Sequence, residues 1–154
     1  MLLFLYAPVL VGLLWLELYL FALLGLVLSM GLVMLPDKDQ GIPLLPHRGF
    51  THTIWFASLV GLGMALVGMV IAPVLIFAGV DAQPVILFLG FIGVFSIVAH
   101  LFADAITPAG IKPYQPLSNR RHSGRISANS FIGNWVLWLL GIGAILFALY
   151  FVLV

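Results

Sequence analysis

There is no cysteine among the 154 residues, which excludes disulfides and thiolate metal sites alike. Charge is nearly as scarce: six basic and five acidic residues leave a formal net charge of +1. So small a balance offers nucleic acid no bulk electrostatic attraction, and no nucleic-acid partner is expected. Familiar hydrolase signatures are missing too. The chain has no His-Glu-x-x-His zinc-protease motif, no Gly-x-Ser-x-Gly nucleophile elbow and no Walker phosphate loop. The N-terminal stretch MLLFLYAPVL lacks the basic start and the small-residue cleavage site of a signal peptide. It reads as the beginning of a retained helix.

What the chain has is apolar length. It is 64% hydrophobic, with a mean hydropathy of +1.25. Several apolar runs reach the roughly 18 residues that a membrane-spanning helix needs. The composition therefore predicts an all-α integral membrane protein, multi-pass in the cell membrane, with the lipid bilayer as its main partner. One domain covers residues 1–154 as a bundle of about four transmembrane helices, near 10–35, 53–78, 85–106 and 131–153. Residues 1–35 are long for one span, but no Pro or Asn/Gly turn divides them, so a single helix ended by Pro36 is expected. Polar loops 36–52 and 107–130 then emerge on the same face and hold all six Lys/Arg, whereas the turn near 79–84 holds none. The positive-inside rule puts that polar face in the cytoplasm.

All four histidines, and every charged residue except Glu17 and Asp81, fall in three patches at helix ends: PDKDQGIPLLPHRGFTHT, HLFADAITPAGIKP and SNRRHSGR. His100 and Asp104 are four apart and share one helical face. They suit one metal ion or a structural hydrogen bond, and ionisable groups at membrane depth favour function. His47 and His52 bracket Arg48, with His47 on the loop and His52 in a first helical turn. They read as metal ligands or as histidines that tolerate the headgroup layer. Asp37 and Asp39 lie in a short segment expected to be extended, pointing to opposite sides. They suit a dinuclear site or a solvated turn. Together Asp37, Asp39, His47, His52, His100 and Asp104 are six N/O donors on one face, enough for one or two divalent ions, with zinc the expected metal. Asp39 and Asp104 are the candidate catalytic carboxylates, and Arg48 is the candidate site arginine. Arg120, Arg121 and Arg125 suit an anionic substrate or an anionic lipid surface. Glu17 is expected near the outer headgroups.

The strings LPDKD, HRGFTHT and HLFADAITPAGIKPYQPLS resemble the YdjM-type family of membrane-bound, metal-dependent hydrolases. The matching residues are Pro36, Asp37 and Asp39, then His47, Arg48, Gly49, Thr51 and His52, then His100, Asp104, Thr107, Gly110, Tyr114 and Pro116. That family is distantly similar to the zinc-dependent phospholipase C and P1 nuclease group through its His-x-x-x-Asp helix. The resemblance implies metal-dependent hydrolysis of a phosphoester, with a lipid or other membrane-associated anion as substrate. One departure stands out. Relatives carry a Thr-His pair on the first helix, whereas residues 1–36 here contain no histidine and Glu17 as their only acid. Either that ligand is lost, or Glu17 or water replaces it. Two other classes remain open: a small metal or proton transporter, and a structural module stapled by its metal.

Overall fold

The computed structural model describes residues 1–41, 48–125 and 131–153. Among these, five α-helices follow in chain order: α1 (Leu2–Trp15), α2 (Tyr19–Leu32), α3 (Ile54–Phe77), α4 (Ala82–Ala105) and α5 (Phe131–Leu153). Two short 3-10 turns, Pro36–Gly41 and Phe50–His52, sit between α2 and α3. No strand occurs among the described residues; Ile111 and His122 form a single antiparallel bridge. Among the described residues three helices are long and apolar enough to cross a membrane: Tyr19–Gly41, in which the first 3-10 turn prolongs α2, Ile54–Phe77 and Ala82–Ala105.

The N-terminal segment departs from the single helix expected within 10–35. It makes two helices with a break at Leu16–Leu18. The Leu18 N–H reaches the Leu13 carbonyl at 2.8 Å and the Glu17 N–H reaches that of Leu14 at 3.0 Å. Glu17 takes a left-handed φ of 59° to allow this. The end of α3 uses the same pair of bonds: Val80 N–H to Leu75 and Gly79 N–H to Ile76, with Gly79 at φ 75°. Glycine takes that conformation freely, whereas a residue with a Cβ is strained by about 1 kcal/mol. The sequence hid the break because its turn residue is a glutamate.

α1 and α2 form a hairpin against α4. Leu5 lies beside Val98 and Phe102 of α4, whereas Phe21 packs edge-on against Phe88 at 4.7 Å. The two helices therefore run in opposite directions along α4. The fully buried Tyr6 ties them by donating its hydroxyl to the Ala22 carbonyl at 2.8 Å. α1 has 14 residues, about 21 Å of helix, and is too short to span alone. It packs instead on α5, where a Cβ at Gly141 would sit 3.0 Å from that of Leu3.

α3 and α4 are the rigid pair. A Cβ on Gly93 would lie 2.9 Å from the Gly61 Cα, and one on Gly68 would lie 2.9 Å from the Ile86 Cα. Lipid tails offer no hydrophobic drive for helix association, so van der Waals contact at such small residues holds the pair together. This close crossing fixes the start of α3 over the end of α4.

Replacing Glu17 by glycine removes the left-handed strain without touching a buried contact, since Glu17 is exposed. Glu17→Gly is expected to raise stability by up to about 1 kcal/mol in thermal unfolding in detergent. A fall in melting temperature would show instead that the carboxylate makes a stabilising contact.

Candidate metal centre

Three chain ends meet at one end of the bundle: the turn after α2, the turn before α3 and the last turn of α4. Pro36 starts the first turn and is fully buried. The segment Pro36–Gly41 is a 3-10 helix rather than the extended strand expected. At about three residues per turn, Asp37 and Asp39 project a third of a turn apart rather than to opposite sides. Thr53 caps α3, its Oγ1 accepting from the Phe56 N–H at 3.3 Å and donating to the Phe50 carbonyl at 2.6 Å. His52 thus precedes the helix and lies in the second 3-10 turn, fully buried.

The two aspartates straddle the His52 imidazole. Asp39 Oδ2 lies 3.5 Å from Nδ1, and Asp37 Oδ1 lies 3.7 Å from Nε2. Thr51 joins the Nδ1 side: its hydroxyl donates to Asp39 Oδ2 at 2.6 Å and contacts His52 Nδ1 at 3.0 Å. Because the hydroxyl proton is committed to Asp39, the Nδ1 contact works when the ring donates. That leaves Nε2 as a lone pair. Carboxylate support of this kind is what orients a metal-binding imidazole. Burial pushes the His52 imidazole below its ordinary pKa, and His100 pushes the same way while the three aspartates oppose it. The ring is neutral at pH 7 and able to ligate.

His100 enters from α4. Its Nε2 lies 3.3 Å from that of His52. Asp37 Oδ1 is 3.7 Å from His100 Nε2. Asp104 Oδ2 completes the group at 3.3 Å from His52 Nε2 and 3.6 Å from His100 Nε2. That oxygen is buried without a hydrogen-bond partner. Asp37, His52 and His100 offer donor atoms all within 4.8 Å of one another, close enough to hold a metal ion.

A tetrahedral ion with bonds of about 2.0–2.1 Å has donor–donor edges of about 3.3 Å. The three edges among Asp37 Oδ1, His52 Nε2 and His100 Nε2, 3.3 to 3.7 Å, are close to that figure. Two imidazole Nε2 atoms and the carboxylate oxygens of Asp37 and Asp104 thus face one another at the end of the bundle. The donor set therefore fits a divalent ion.

Each of the other site residues has a definite place. Asp39 lies behind His52, against Nδ1 and Thr51. Arg48, at a left-handed φ of 61°, donates to the Gly110 carbonyl at 3.2 Å and pairs with Asp104 Oδ1 at 3.6 Å. Arg121 donates to the carbonyls of Pro108 and Ala109. Arg120 and Arg125 are exposed. His47 lies outside the described residues. Glu17 sits at the opposite end of α2 from Asp37. A 14-residue helix, about 21 Å, separates them, so Glu17 supplies no ligand here.

Sequence reasoning missed the supporting groups. Thr51 stood only among the residues that carry the family resemblance. Thr107 and Gly110 prove to build a turn: the Thr107 hydroxyl donates to the Asp104 carbonyl at 2.7 Å and accepts from the Gly110 N–H at 3.4 Å. Gly110 has φ 61°, and a Cβ there would collide with the His122 carbonyl. Only glycine fits, and its carbonyl is the one that Arg48 grips. Neither role has a sequence signal beyond the spacing itself.

Together these features define an all-helical membrane protein whose polar end gathers a His/Asp cluster able to hold a metal. The chain belongs to the YdjM inner membrane protein family, whose model matches residues 2–154. No curated protein and no solved structure gives a significant match.

His52→Ala and His100→Ala are each expected to abolish divalent-metal retention, read by mass spectrometry of protein purified without a metal column. Thr51→Val removes only the support at Nδ1 and is expected to weaken affinity about 10–100-fold. Metal retained in full by all three variants would place the ion elsewhere.

Proposed function

We propose that this protein is a membrane-bound, metal-dependent hydrolase that cleaves a phosphoester in a lipid or other membrane-associated anionic substrate, with zinc as its ion. The observation that carries the reading is the convergence of two imidazole nitrogens and two carboxylate oxygens beside a cationic cleft. Nitrogen and oxygen donors without sulfur suit zinc. When bound, such an ion supplies Lewis acidity and lowers the pKa of water.

The residues around it divide the remaining work. His52 and His100 present their Nε2 atoms, and Thr51 with Asp39 orients the His52 ring from its Nδ1 side. Asp104 faces both imidazoles through Oδ2 and holds Arg48 through Oδ1. Arg48 then meets an anion on the cleft side and stabilises charge that develops there. Of the three aspartates only Asp37 is substantially exposed. It meets incoming water and is the best placed to accept a proton, whereas Asp39 is buried and acts through His52. The distant similarity to the phospholipase C and P1 nuclease group supports the same chemistry.

Two observations favour hydrolysis over the alternatives. Residues 19–35, 54–77 and 82–99 of the spans contain no charged residue, so an ion path would lack ionisable groups through the bilayer. A purely structural metal would have a closed surround, and here an open cleft adjoins the cluster. We assign the site to the cytoplasmic face, because all six Lys/Arg lie in the segments that carry it.

The test is hydrolysis of p-nitrophenyl phosphate, bis-p-nitrophenyl phosphate and short-chain phospholipids by purified protein. Activity is expected to vanish on chelation, to return with zinc, and to fall at least about 100-fold in Arg48→Gln with the metal retained. Fully metal-loaded protein that hydrolyses none of these substrates would overturn the proposal.

A further inference from the structure

The α4–α5 connection does more than close the bundle. From Ile106 to Gly124 it folds back on itself. Gly124 donates to the Thr107 carbonyl at 3.0 Å, and Ile111 and His122 exchange backbone bonds at 2.9 and 2.8 Å. The Ile54 N–H, at the start of α3, reaches the Pro113 carbonyl at 3.0 Å. The segment is thus pinned to the end of α4 and to the beginning of α3.

Between this bracket and Arg48 lies a cleft of about 320 Å³, lined by Arg48, Gly49, Gly110, Lys112, Gln115 and Arg121 among others. No carboxylate lines it. Two of its three cations are held in place from behind by carbonyls, Arg48 by Gly110 and Arg121 by Pro108 and Ala109. A guanidinium has five N–H donors, so each keeps donors for a ligand. Arg48 also reaches Asp104, so the cleft borders the metal cluster.

A second groove of about 270 Å³ continues from it, lined by Gly49, Phe50, Gln115 and Pro116. Gly49 and Gln115 belong to both. Around this end Phe50, Tyr114 and Leu117 are exposed apolar side chains, as is Trp55 at the start of α3. Trp and Tyr at a span end mark the headgroup level of a bilayer. The cavity therefore has a cationic head and an apolar exit at the depth where lipid headgroups lie.

We propose that this cleft binds the terminal phosphate of a membrane amphiphile, a phosphomonoester lipid, with its glycerol-side chain leaving over Phe50 and Pro116. The proposal rests on the hydrolase reading above and names its substrate. Three cations and no carboxylate match a group carrying close to two negative charges at neutral pH, as a phosphomonoester does. A zwitterionic diester headgroup carries one negative charge and brings a cation that this cleft would repel. Lys112 joins the site as an anion-binding residue, and Arg121, exposed like Arg120 and Arg125, differs from them in lining the cleft and being held by carbonyls.

The experiment is a calorimetric titration of the detergent-solubilised protein, as purified and after chelation, with three probes: dihexanoyl phosphatidic acid, dihexanoyl phosphatidylcholine and inorganic phosphate. Phosphatidic acid is expected to bind at least about tenfold more tightly than either of the others, in both preparations. Lys112→Gln and Arg121→Gln should each lower that affinity about tenfold, with metal content unchanged. Phe50→Ser should erase the advantage over inorganic phosphate. Equal binding of phosphatidylcholine, or no loss in either cation variant, would overturn the headgroup assignment. Inorganic phosphate binding as tightly as the lipid would overturn the amphiphile and leave a free phosphate site. Binding by protein that holds no metal as purified and takes up no zinc on reloading would sustain the cleft while the hydrolase reading fails. Loss of all binding with the metal intact would do the reverse.

Discussion

Burying the His52 imidazole completely requires a partner for each nitrogen, because an unsatisfied polar group away from water costs about 1–3 kcal/mol. Asp39 with Thr51 answers on the Nδ1 side, and Asp37, Asp104 and His100 gather on the Nε2 side. The first arrangement is self-sufficient. The second gathers two imidazole nitrogens and two carboxylates and leaves Asp104 Oδ2 without a hydrogen bond. Asp37, His52 and His100 there lie close enough to hold a metal ion.

The fold meets this need with little material. α3 and α4 cross at Gly61 and Gly93 closely enough that a single methyl group would clash. Such contact leaves little freedom to slide, so His52 at the start of one helix stays over His100 at the end of the other. α2 delivers Asp37 and Asp39 through a buried proline and a tight 3-10 turn. The α4–α5 connection folds back and supplies the carbonyl that steadies Arg48. Residues 19–35, 54–77 and 82–99 of the spans carry no charge, so the polar groups collect at the helix ends. The site is at the membrane face because only there can three carboxylates and two imidazoles be gathered without a large desolvation cost.

Much of the cluster was legible in the sequence as residue types and spacings. His100 and Asp104 at four apart share a helical face in any helix, and a three-patch pattern at helix ends is plain in so apolar a chain. The membrane class and the family were legible for the same reason. What spacing does not encode is which nitrogen of His52 meets which aspartate. The extended reading of Asp37–Asp39 missed that a 3-10 turn sets both carboxylates around one ring. The break at Glu17 was invisible because that helix end uses a strained glutamate where Gly79 marks the equivalent turn openly. The separation of Arg121 from Arg120 and Arg125, and the inclusion of Lys112, depend on a backbone bracket that only the fold reveals.

The central claim is that His52 and His100 meet over one divalent ion, with carboxylates completing its sphere. X-ray absorption at the zinc edge, on purified protein loaded with one equivalent of zinc, tests it most directly. The account predicts about four nitrogen and oxygen neighbours near 2.0–2.1 Å, with outer-shell scattering from two imidazole rings that falls to one ring in His52→Ala. A shell of six oxygens without imidazole scattering, or a two-imidazole pattern unchanged in that variant, would contradict it.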